Sequence, residues 1–170
     1  MVSGLYTLDE LRQAIAADPQ RWRPLVFTNG CFDLIHAGHV RYLQIARSLG
    51  KALVVGLNSD RSVQEIKPQA VGLPQRPIVP EQQRAEVLAA LRAVDGVVIF
   101  AETTASQLLA SLQPDIYVKG GDYKLETLPE AAIVQAYGGR IELVQIEVPS
   151  STSAIVKRIL AANATEPQQF

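Results

Sequence analysis

The sequence contains 170 residues, of which 48% are hydrophobic and 19% are charged. This length suffices for one domain with a substantial core and is short for two, so we expect a single domain over residues 1–170. Sixteen Lys and Arg residues nearly balance 17 Asp and Glu residues. Such a balance argues against nucleic acid or an anionic membrane as a partner, and any phosphate site must be built locally.

Cysteine content and the N-terminal segment bear on the compartment. The single cysteine, Cys31, has no internal disulfide partner, which favours a reducing environment. Residues 1–10 lack the basic segment and apolar run of a secretory signal. No stretch approaches the roughly 20 apolar residues needed to cross a bilayer. The sequence therefore predicts a cytoplasmic protein with no membrane association.

The first 20 residues predict a leading amphipathic helix. Thr7 and Glu10 have the spacing of a capping box at its start. Leu11 and Ile15 then supply an apolar stripe, which ends before Pro19.

Beyond this helix, apolar strands alternate with helical patterns. Strands are predicted at residues 24–27, 51–57, 97–100, 115–118 and 141–146. Helices are predicted at residues 40–49, 62–66, 104–112 and about 154–160. Two further helices are predicted to begin at about residues 81 and 129. Residues 67–80 predict a long loop, and residues 164–170 a frayed tail. This alternation favours an α/β fold: a doubly wound, Rossmann-like open parallel sheet of five strands with helices on both faces.

Polar motifs follow four of the predicted strands, at residues 29–39, 58–60, 119–123 and 150–153. The carboxyl ends of parallel strands meet at one edge of a sheet, where open α/β folds form their ligand crevice. We therefore expect the functional site at this edge.

The stretch over residues 28–39 joins the first strand of the sheet to the next helix. It holds both histidines of the chain, His36 and His39, which share one side of the first helical turn. A helix N-terminus attracts anions, and Gly30 and Gly38 allow close backbone approach to a ligand. The histidines could be a helix cap and a surface residue, but the glycines and Asp33 favour a phosphate site.

The run Gly-Cys-Phe-Asp-Leu-Ile-His-Ala-Gly-His at residues 30–39 resembles the G-x-F-D-x-x-H-x-G-H signature of the cytidylyltransferase-like nucleotidyltransferases. Residues 118–123 resemble the family segment V-K-G-x-D-Y. Residues 151–155 resemble the segment S-T-T-x-I, with Ser153 in place of the last Thr. The resemblance covers about residues 25–160. It is strongest to family members that adenylylate heptose phosphates, and glycerol-3-phosphate cytidylyltransferases are more distant.

The resemblance implies roles for particular residues. The catalytic groups would be His36, His39 and Lys119, which offset negative charge as the α-phosphorus is attacked. The implied nucleotide-binding residues are Thr28, Asn29, Gly30, Cys31, Phe32, Asp33, Gly38, Gly120, Asp122, Ser151, Thr152 and Ser153. Alternatively, the hydroxyls at residues 150–153 are only helix caps, and a strand-end lysine is commonly just solvated.

Substrate-binding candidates outside the three motifs are Asn58, Asp60, Lys67, Arg76 and Arg84. The segment over residues 68–75 is longer than we expect in members of the family. The pairing of Lys67 and Arg76 with particular phosphates is therefore open. For Arg84, a salt bridge on a helix surface is the alternative to phosphate contact.

The metal expectation is Mg²⁺, which prefers a few oxygen ligands together with substrate phosphates. Asp33 and Asp122 are the carboxylates considered for it. The resemblance implies that the triphosphate carries most of the metal's ligands, so no protein ligand is assigned. A zinc site is disfavoured because only carboxylates could complete it.

The resemblance implies an enzyme that joins the adenylyl group of ATP to a sugar phosphate of the heptose 1-phosphate class and releases pyrophosphate. One alternative is a cytidylyltransferase acting on an alcohol phosphate such as glycerol 3-phosphate. The other is a non-catalytic nucleotide-binding module, which would not require His36, His39 and Lys119. The sequence leaves the oligomeric state open, with a homodimer among the expectations.

Overall fold

Helices and strands alternate along the chain in a computed structural model that describes residues 3–121, 125–145 and 151–163. The strands are β1 (Leu25–Gly30), β2 (Ala52–Asn58), β3 (Gly96–Phe100), β4 (Ile116–Gly120) and β5 (Arg140–Val144). The helices are α1 (Leu8–Ala17), α2 (Pro19–Trp22), α3 (Ala37–Ser48), α4 (Asp60–Ile66), α5 (Glu81–Ala89), α6 (Ser106–Leu112), α7 (Ala131–Ala136) and α8 (Thr152–Asn163). A short 3₁₀ turn at Leu125–Thr127 precedes α7.

The five strands form one sheet in the order β3-β2-β1-β4-β5, and every neighbouring pair is parallel. The chain winds outward from β1 through β2 to β3, then returns to the other side of β1 for β4 and β5. The winding direction therefore reverses between β1 and β4, where doubly wound sheets form their ligand crevice. This topology confirms the predicted five-stranded parallel sheet.

Each face of the sheet carries its own apolar core. Phe27 of β1 packs in a cluster with Leu109 of α6 and with residues of α1 and α7. Its neighbour Val26 faces the opposite way and shares a second cluster with Leu43 of α3 and Leu88 of α5. Successive strand residues point to opposite faces, so the two clusters confirm that helices cover both.

The leading helix begins and ends as the sequence predicts. The Thr7 side chain accepts a hydrogen bond from the Glu10 backbone, and the Glu10 carboxylate accepts one from the Thr7 backbone. The Thr7 hydroxyl also donates to this carboxylate, and the two bonds from the Thr7 backbone and hydroxyl lower the pKa of Glu10. Leu11 and Ile15 are buried, and the helix ends at Ala17, before Pro19.

Several element boundaries differ from the predicted ones. Strand β1 continues to Gly30, because its polar end stays in register with Gly56 and Leu57 of β2. Helix α3 begins at Ala37, three residues earlier than predicted. The last residue of the predicted 141–146 strand and the predicted tail at 164–170 lie outside the described residues. Within the described ranges, no helix combines the length and apolar character needed to span a bilayer.

Candidate active site

A cavity of about 640 Å³ lies at the carboxyl edge of the sheet and brings the predicted motifs together. The predicted residues that line it are Asn29, Gly30, Cys31, Phe32, Asp33, His36, Gly38, His39, Asn58, Lys67, Arg76, Lys119, Gly120, Ser151, Thr152 and Ser153. Thr28, Asp60 and Arg84 do not line it, and Asp122 lies outside the described residues. A second concave region of about 550 Å³ is lined mainly by α1, and none of the predicted site residues that the structure describes lies in it.

The two histidines stack at the start of α3. His36 is the N-cap residue, and its Nδ1 accepts a hydrogen bond from the Gly38 backbone at 3.2 Å. This bond requires an unprotonated Nδ1, so the neutral ring carries its proton on Nε2. The ring centroids of His36 and His39 are 3.9 Å apart. His36 therefore caps its helix and lines the cavity at the same time.

Both imidazoles are poised in the neutral state. Burial lowers the pKa of His39 to about 4, and the neighbouring His36 ring and the cations Lys67 and Arg76 add to this effect. The Leu34 backbone acts in the opposite direction. Burial also lowers the pKa of His36. Nδ1 of His39 is buried and makes no hydrogen bond to the described residues.

Lys119 lies near the end of β4 and is only 8% exposed. Its Nζ donates a hydrogen bond to Oδ1 of Asn29 at 3.0 Å, and the Tyr117 hydroxyl donates to the same oxygen at 2.8 Å. Burial lowers the pKa of Lys119, whereas Glu130 and Cys31 raise it. Asn29 thus positions the ammonium group at the point where the sheet reverses.

Thr28 is held within the sheet and does not line the cavity, so its contact with the nucleotide stays a prediction. Its side chain is fully buried, and its hydroxyl oxygen lies 2.7 Å from the Tyr42 hydroxyl. Tyr42 gives its proton to the Val118 carbonyl at 2.9 Å, so Thr28 is the donor to Tyr42. Tyr42 also explains Gly120, because a Cβ there would lie 2.8 Å from the Tyr42 ring.

The turn after β1 has a strained backbone. Phe32 is buried and has a φ of +39°, a left-handed conformation that is uncommon for a side chain of this size. Its ring packs over Gly30, where a Cβ would approach it to 3.0 Å, and its centroid is 5.4 Å from that of His39. The turn thereby brings Phe32 against the His39 imidazole.

Asp33 holds the long loop against this turn. Its fully buried carboxylate accepts backbone hydrogen bonds from Ile78 and Val79 at 2.9 Å and pairs with the Arg76 guanidinium. The loop over residues 67–80 therefore carries Lys67 and Arg76 to the cavity wall. These bonds hold the Asp33 carboxylate against the loop, and a magnesium contact by Asp33 stays a hypothesis.

Arg84 and Asp60 form an ion pair, and neither residue lines the cavity, so their contact with substrate stays a prediction. The Arg84 side chain is 0% exposed, and its Nη2 donates to Asp60 Oδ1 at 2.7 Å. Its Nε and Nη1 donate to the carbonyls of Val79 and Cys31 at 2.8 and 2.5 Å. Because the Arg84 guanidinium is buried, this ion pair is not the helix-surface salt bridge that the sequence offered as the alternative.

Two other predicted residues line the cavity while bonding within the protein. The Ser151 hydroxyl accepts a hydrogen bond from the Ala154 backbone at 3.1 Å and so caps α8. Asn58 donates to the Ser62 hydroxyl at 2.9 Å. Phosphate contact by Thr152 and Ser153 stays a prediction, supported by their place at the cavity wall.

The donor set does not build a metal cage. Within the described residues, no group of three or more His, Cys, Asp or Glu side chains could hold a metal ion. The expectation of Mg²⁺ carried mainly by the triphosphate therefore stays a prediction.

Sequence reasoning missed several lining residues, namely Tyr42, Ile66, Thr103, Thr104, Gly121, Pro129 and Glu130. A signal existed for Thr103 and Thr104, which closely follow β3. The rule that polar residues after a strand meet at the carboxyl edge applies to them as it does to residues 58–60.

Solved structures share this architecture. A lipopolysaccharide core biosynthesis protein from Thermoplasma volcanium GSS1 aligns with a TM-score of 0.59 and 26% identity, over 74% of this chain and 97% of that one. Pantothenate synthetase from Thermus thermophilus aligns with a TM-score of 0.54 over 84% of this chain and 60% of that one. At 17% identity, this second likeness shows the fold alone.

Curated relatives are closer in sequence. The chain is 51% identical over 158 residues to the bifunctional protein HldE of Pelobacter propionicus, covering 93% of this chain and 31% of that protein. It is 49% identical over 152 residues to bifunctional protein HldE of Syntrophotalea carbinolica, covering 89% and 30% respectively. The chain thus spans about three tenths of the length of these relatives.

The fold, the stacked histidines at a strand-to-helix turn and the strand-end lysine are the features of a nucleotidyltransferase. The cytidylyltransferase-like family model matches residues 27–166. The chain therefore belongs to the cytidylyltransferase-like family, which confirms the predicted family and enzyme class.

Proposed function

We propose that this chain is an adenylyltransferase, which joins the adenylyl group of ATP to a sugar phosphate of the heptose 1-phosphate class and releases pyrophosphate. The observation that carries the proposal is the placement of His36, His39 and Lys119 around one cavity at the reversal point of the sheet. The identity of about half to a region of HldE proteins supports it.

In the proposed reaction, an oxygen of the acceptor phosphate attacks the α-phosphorus of ATP. A new P–O bond forms as the bond from the α-phosphorus to the bridging oxygen breaks, and the electron pair leaves with pyrophosphate. Such a transfer needs alignment of attacker and leaving group and compensation of negative charge. The Nε2 proton of His36, the His39 ring and the Lys119 ammonium would supply that compensation.

The long loop would supply further positive charge. Lys67 and the partly buried Arg76 line the same cavity as the histidines. Asp33 engages Nε of Arg76, and the two terminal nitrogens make no hydrogen bond to the described residues. These nitrogens and Lys67 are suited to the phosphates of the leaving group or of the acceptor. Mg²⁺ would enter with the triphosphate, whose oxygens would supply most of its ligands.

Measurement of pyrophosphate release tests the proposal. Purified protein would be mixed with ATP or CTP, each paired with heptose 1-phosphate, hexose 1-phosphate or glycerol 3-phosphate. We expect the highest kcat/KM with ATP and a heptose 1-phosphate. Faster turnover with CTP and glycerol 3-phosphate would favour the cytidylyltransferase alternative, and binding of nucleotide without turnover of any pair would favour the non-catalytic module.

Two further expectations accompany this function. A cytoplasmic enzyme would have access to ATP and would keep the Cys31 thiol reduced. A homodimer stays a prediction, which light scattering coupled to size-exclusion chromatography would test.

A further inference from the structure

One wall of the cavity takes no part in the proposed chemistry. It consists of Thr103 and Thr104, between β3 and α6, together with Pro129 and Glu130 before α7. The Ala105 backbone donates a hydrogen bond to Oε1 of Glu130 at 3.4 Å and joins the two segments. We call these four lining residues the 103/130 wall.

The 103/130 wall lies across the sheet from the histidines. Ala105 and Leu128, which flank the wall, belong to the core between the sheet and α1, α6 and α7. Phe32, which packs beside His39, belongs to the core on the α3 and α5 face. The cavity therefore spans the carboxyl edge, with the histidines and the cationic loop on one face and the wall on the other.

Glu130 is the chemically distinctive member of the wall. The residue is only 4% exposed, yet its carboxylate forms no ion pair within the described residues and has the single long hydrogen bond from Ala105. It is near enough to Lys119 to raise the pKa of that lysine. A buried carboxylate needs hydrogen-bond donors, and it repels phosphate. Its remaining acceptor capacity therefore suits a neutral, donor-rich part of a substrate.

The two threonines have matching chemistry. The Thr103 hydroxyl makes no hydrogen bond to the described residues, and the Thr104 hydroxyl lies 3.1 Å from that of Ser106. A hydroxyl both donates and accepts, so it pairs well with the hydroxyls of a polyol. Together with the Glu130 carboxylate, the wall offers acceptors and neutral donors but no cation.

We propose that Glu130, assisted by Thr103 and Thr104, determines acceptor specificity by binding hydroxyl groups of the sugar ring. This inference rests on the proposed function and on the predicted nucleotide contacts at the glycine-rich turn after β1, the end of β4 and the start of α8. The 103/130 wall is the part of the cavity lining that is left to contact the acceptor. The ribose of the nucleotide carries the same hydroxyl chemistry and is the other source that the experiment must distinguish.

The test compares Glu130→Gln and Thr103→Val with the wild type. Glutamine keeps an oxygen for the Ala105 amide, and Thr103 is exposed, so neither change removes a core contact. Glu126→Gln is the matched control, because Glu126 is exposed, lies outside the cavity lining and carries the same charge. KM and kcat would be measured with the sugar 1-phosphate, its single-deoxy analogues, ATP and 2′-deoxy-ATP.

The expected change in KM follows from the loss of a hydrogen bond between a sugar hydroxyl and the charged Glu130 carboxylate. Glu130→Gln should raise KM for the sugar phosphate roughly tenfold or more. The KM for ATP should stay unchanged, as should both constants in Glu126→Gln. At least one deoxy sugar should be a poor substrate for the wild type and lose this disadvantage in Glu130→Gln. A change at Lys119 would instead lower kcat for all acceptors alike.

Other results would overturn the inference. A raised KM for ATP, with loss of discrimination against 2′-deoxy-ATP, would assign the wall to the ribose. Unchanged constants in both Glu130→Gln and Thr103→Val would show that no hydroxyl is bound there. A wild type that uses only glycerol 3-phosphate would contradict the proposed function but not the role of Glu130. In that case the role of Glu130 would be decided by whether Glu130→Gln raises KM for glycerol 3-phosphate.

Discussion

The imidazole rings of His36 and His39 are stacked, with 3.9 Å between their centroids and 27° between their planes. The orientation of His36 is fixed by the hydrogen bond from Gly38, whereas His39 is held between the rings of His36 and Phe32. Nδ1 of His39 has no hydrogen bond to the described residues. The two histidines therefore contribute differently: His36 both caps the helix and lines the cavity, whereas His39 lines the cavity without capping the helix.

We expect His39→Ala to lower kcat by roughly 10²–10³-fold, because a preorganised group facing developing charge contributes about 2.7–4 kcal/mol. The affinity for ATP should change less, since the triphosphate keeps its other contacts. His36→Asn is the matched comparison, because asparagine preserves a helix cap while removing the imidazole. Steady-state kinetics on both variants, with circular dichroism to confirm folding, provides the measurement. A folded His39→Ala enzyme with near-normal kcat would mean that this ring only packs against its neighbours.

The lowered pKa of His39 predicts a dependence of stability on pH. Its pKa is about 4 in the folded protein and 6.5 in the reference state, so the unfolded chain binds the proton more tightly between these values. The contribution of the neutral ring is complete above about pH 6.5 and is lost as the pH falls toward 4. Urea unfolding across this range should show a steeper loss of stability in the wild type than in His39→Gln. Equal slopes would contradict the buried neutral ring.

Much of the fold follows from local sequence patterns. The strands at residues 51–57 and 97–100 are continuous apolar runs, the pattern of strands covered on both faces. The end of β1 was missed because Thr28 and Asn29 are polar. Their strand conformation depends on pairing with β2, and for Thr28 also with β4. A local pattern does not contain that information.

The site was predictable where a motif is contiguous and not where contacts are remote. His36, His39 and Lys119 line the cavity as their motifs predict. Arg84 bonds to the carbonyl of a residue 53 positions away, and Arg76 pairs with a carboxylate 43 positions away. Such pairings depend on how the loop folds back over the turn, so arginines that bind phosphate and arginines that bind carbonyls look the same in the sequence.

Lys119→Ala should raise KM for ATP and also lower kcat, because an ammonium group at the cavity wall can contact the triphosphate before and during the reaction. Asn29→Ala should show a milder form of the same defect, since it removes the oxygen that holds Nζ of Lys119. Steady-state kinetics with varied ATP provides the measurement. A Lys119→Ala variant with unchanged KM and kcat would remove this lysine from the site.

Cys31→Ser should retain activity, although Cys31 lines the cavity. Burial raises the pKa of its thiol, although Lys67, Arg84 and Arg76 oppose this effect. The thiol is therefore protonated at neutral pH and is a poor nucleophile. Initial rates and intact-protein mass during turnover provide the measurement. Loss of nearly all activity in a folded variant, or a covalent adduct on the wild type, would support a nucleophilic cysteine.

Arg84→Met should destabilise the protein by about 1.5–3 kcal/mol, because two carbonyls and a carboxylate lose their charged donor. The guanidinium joins the Cys31 carbonyl, the Val79 carbonyl and Asp60, so its loss should also loosen the long loop. Asp60→Asn should cost less, since that side chain is 36% exposed and the Arg84 bonds to the carbonyls remain.

Urea unfolding measures the stability of both variants, and kinetics at saturating and limiting ATP separate stability from binding. If Arg84 contacted substrate, Arg84→Met would raise KM while leaving the unfolding free energy unchanged. The buried geometry predicts the reverse order: a clear loss of stability, with a weaker effect on KM that arises through the displaced loop carrying Lys67 and Arg76. A variant as stable as the wild type would show that the three bonds of Arg84 do not hold the turn and the loop together.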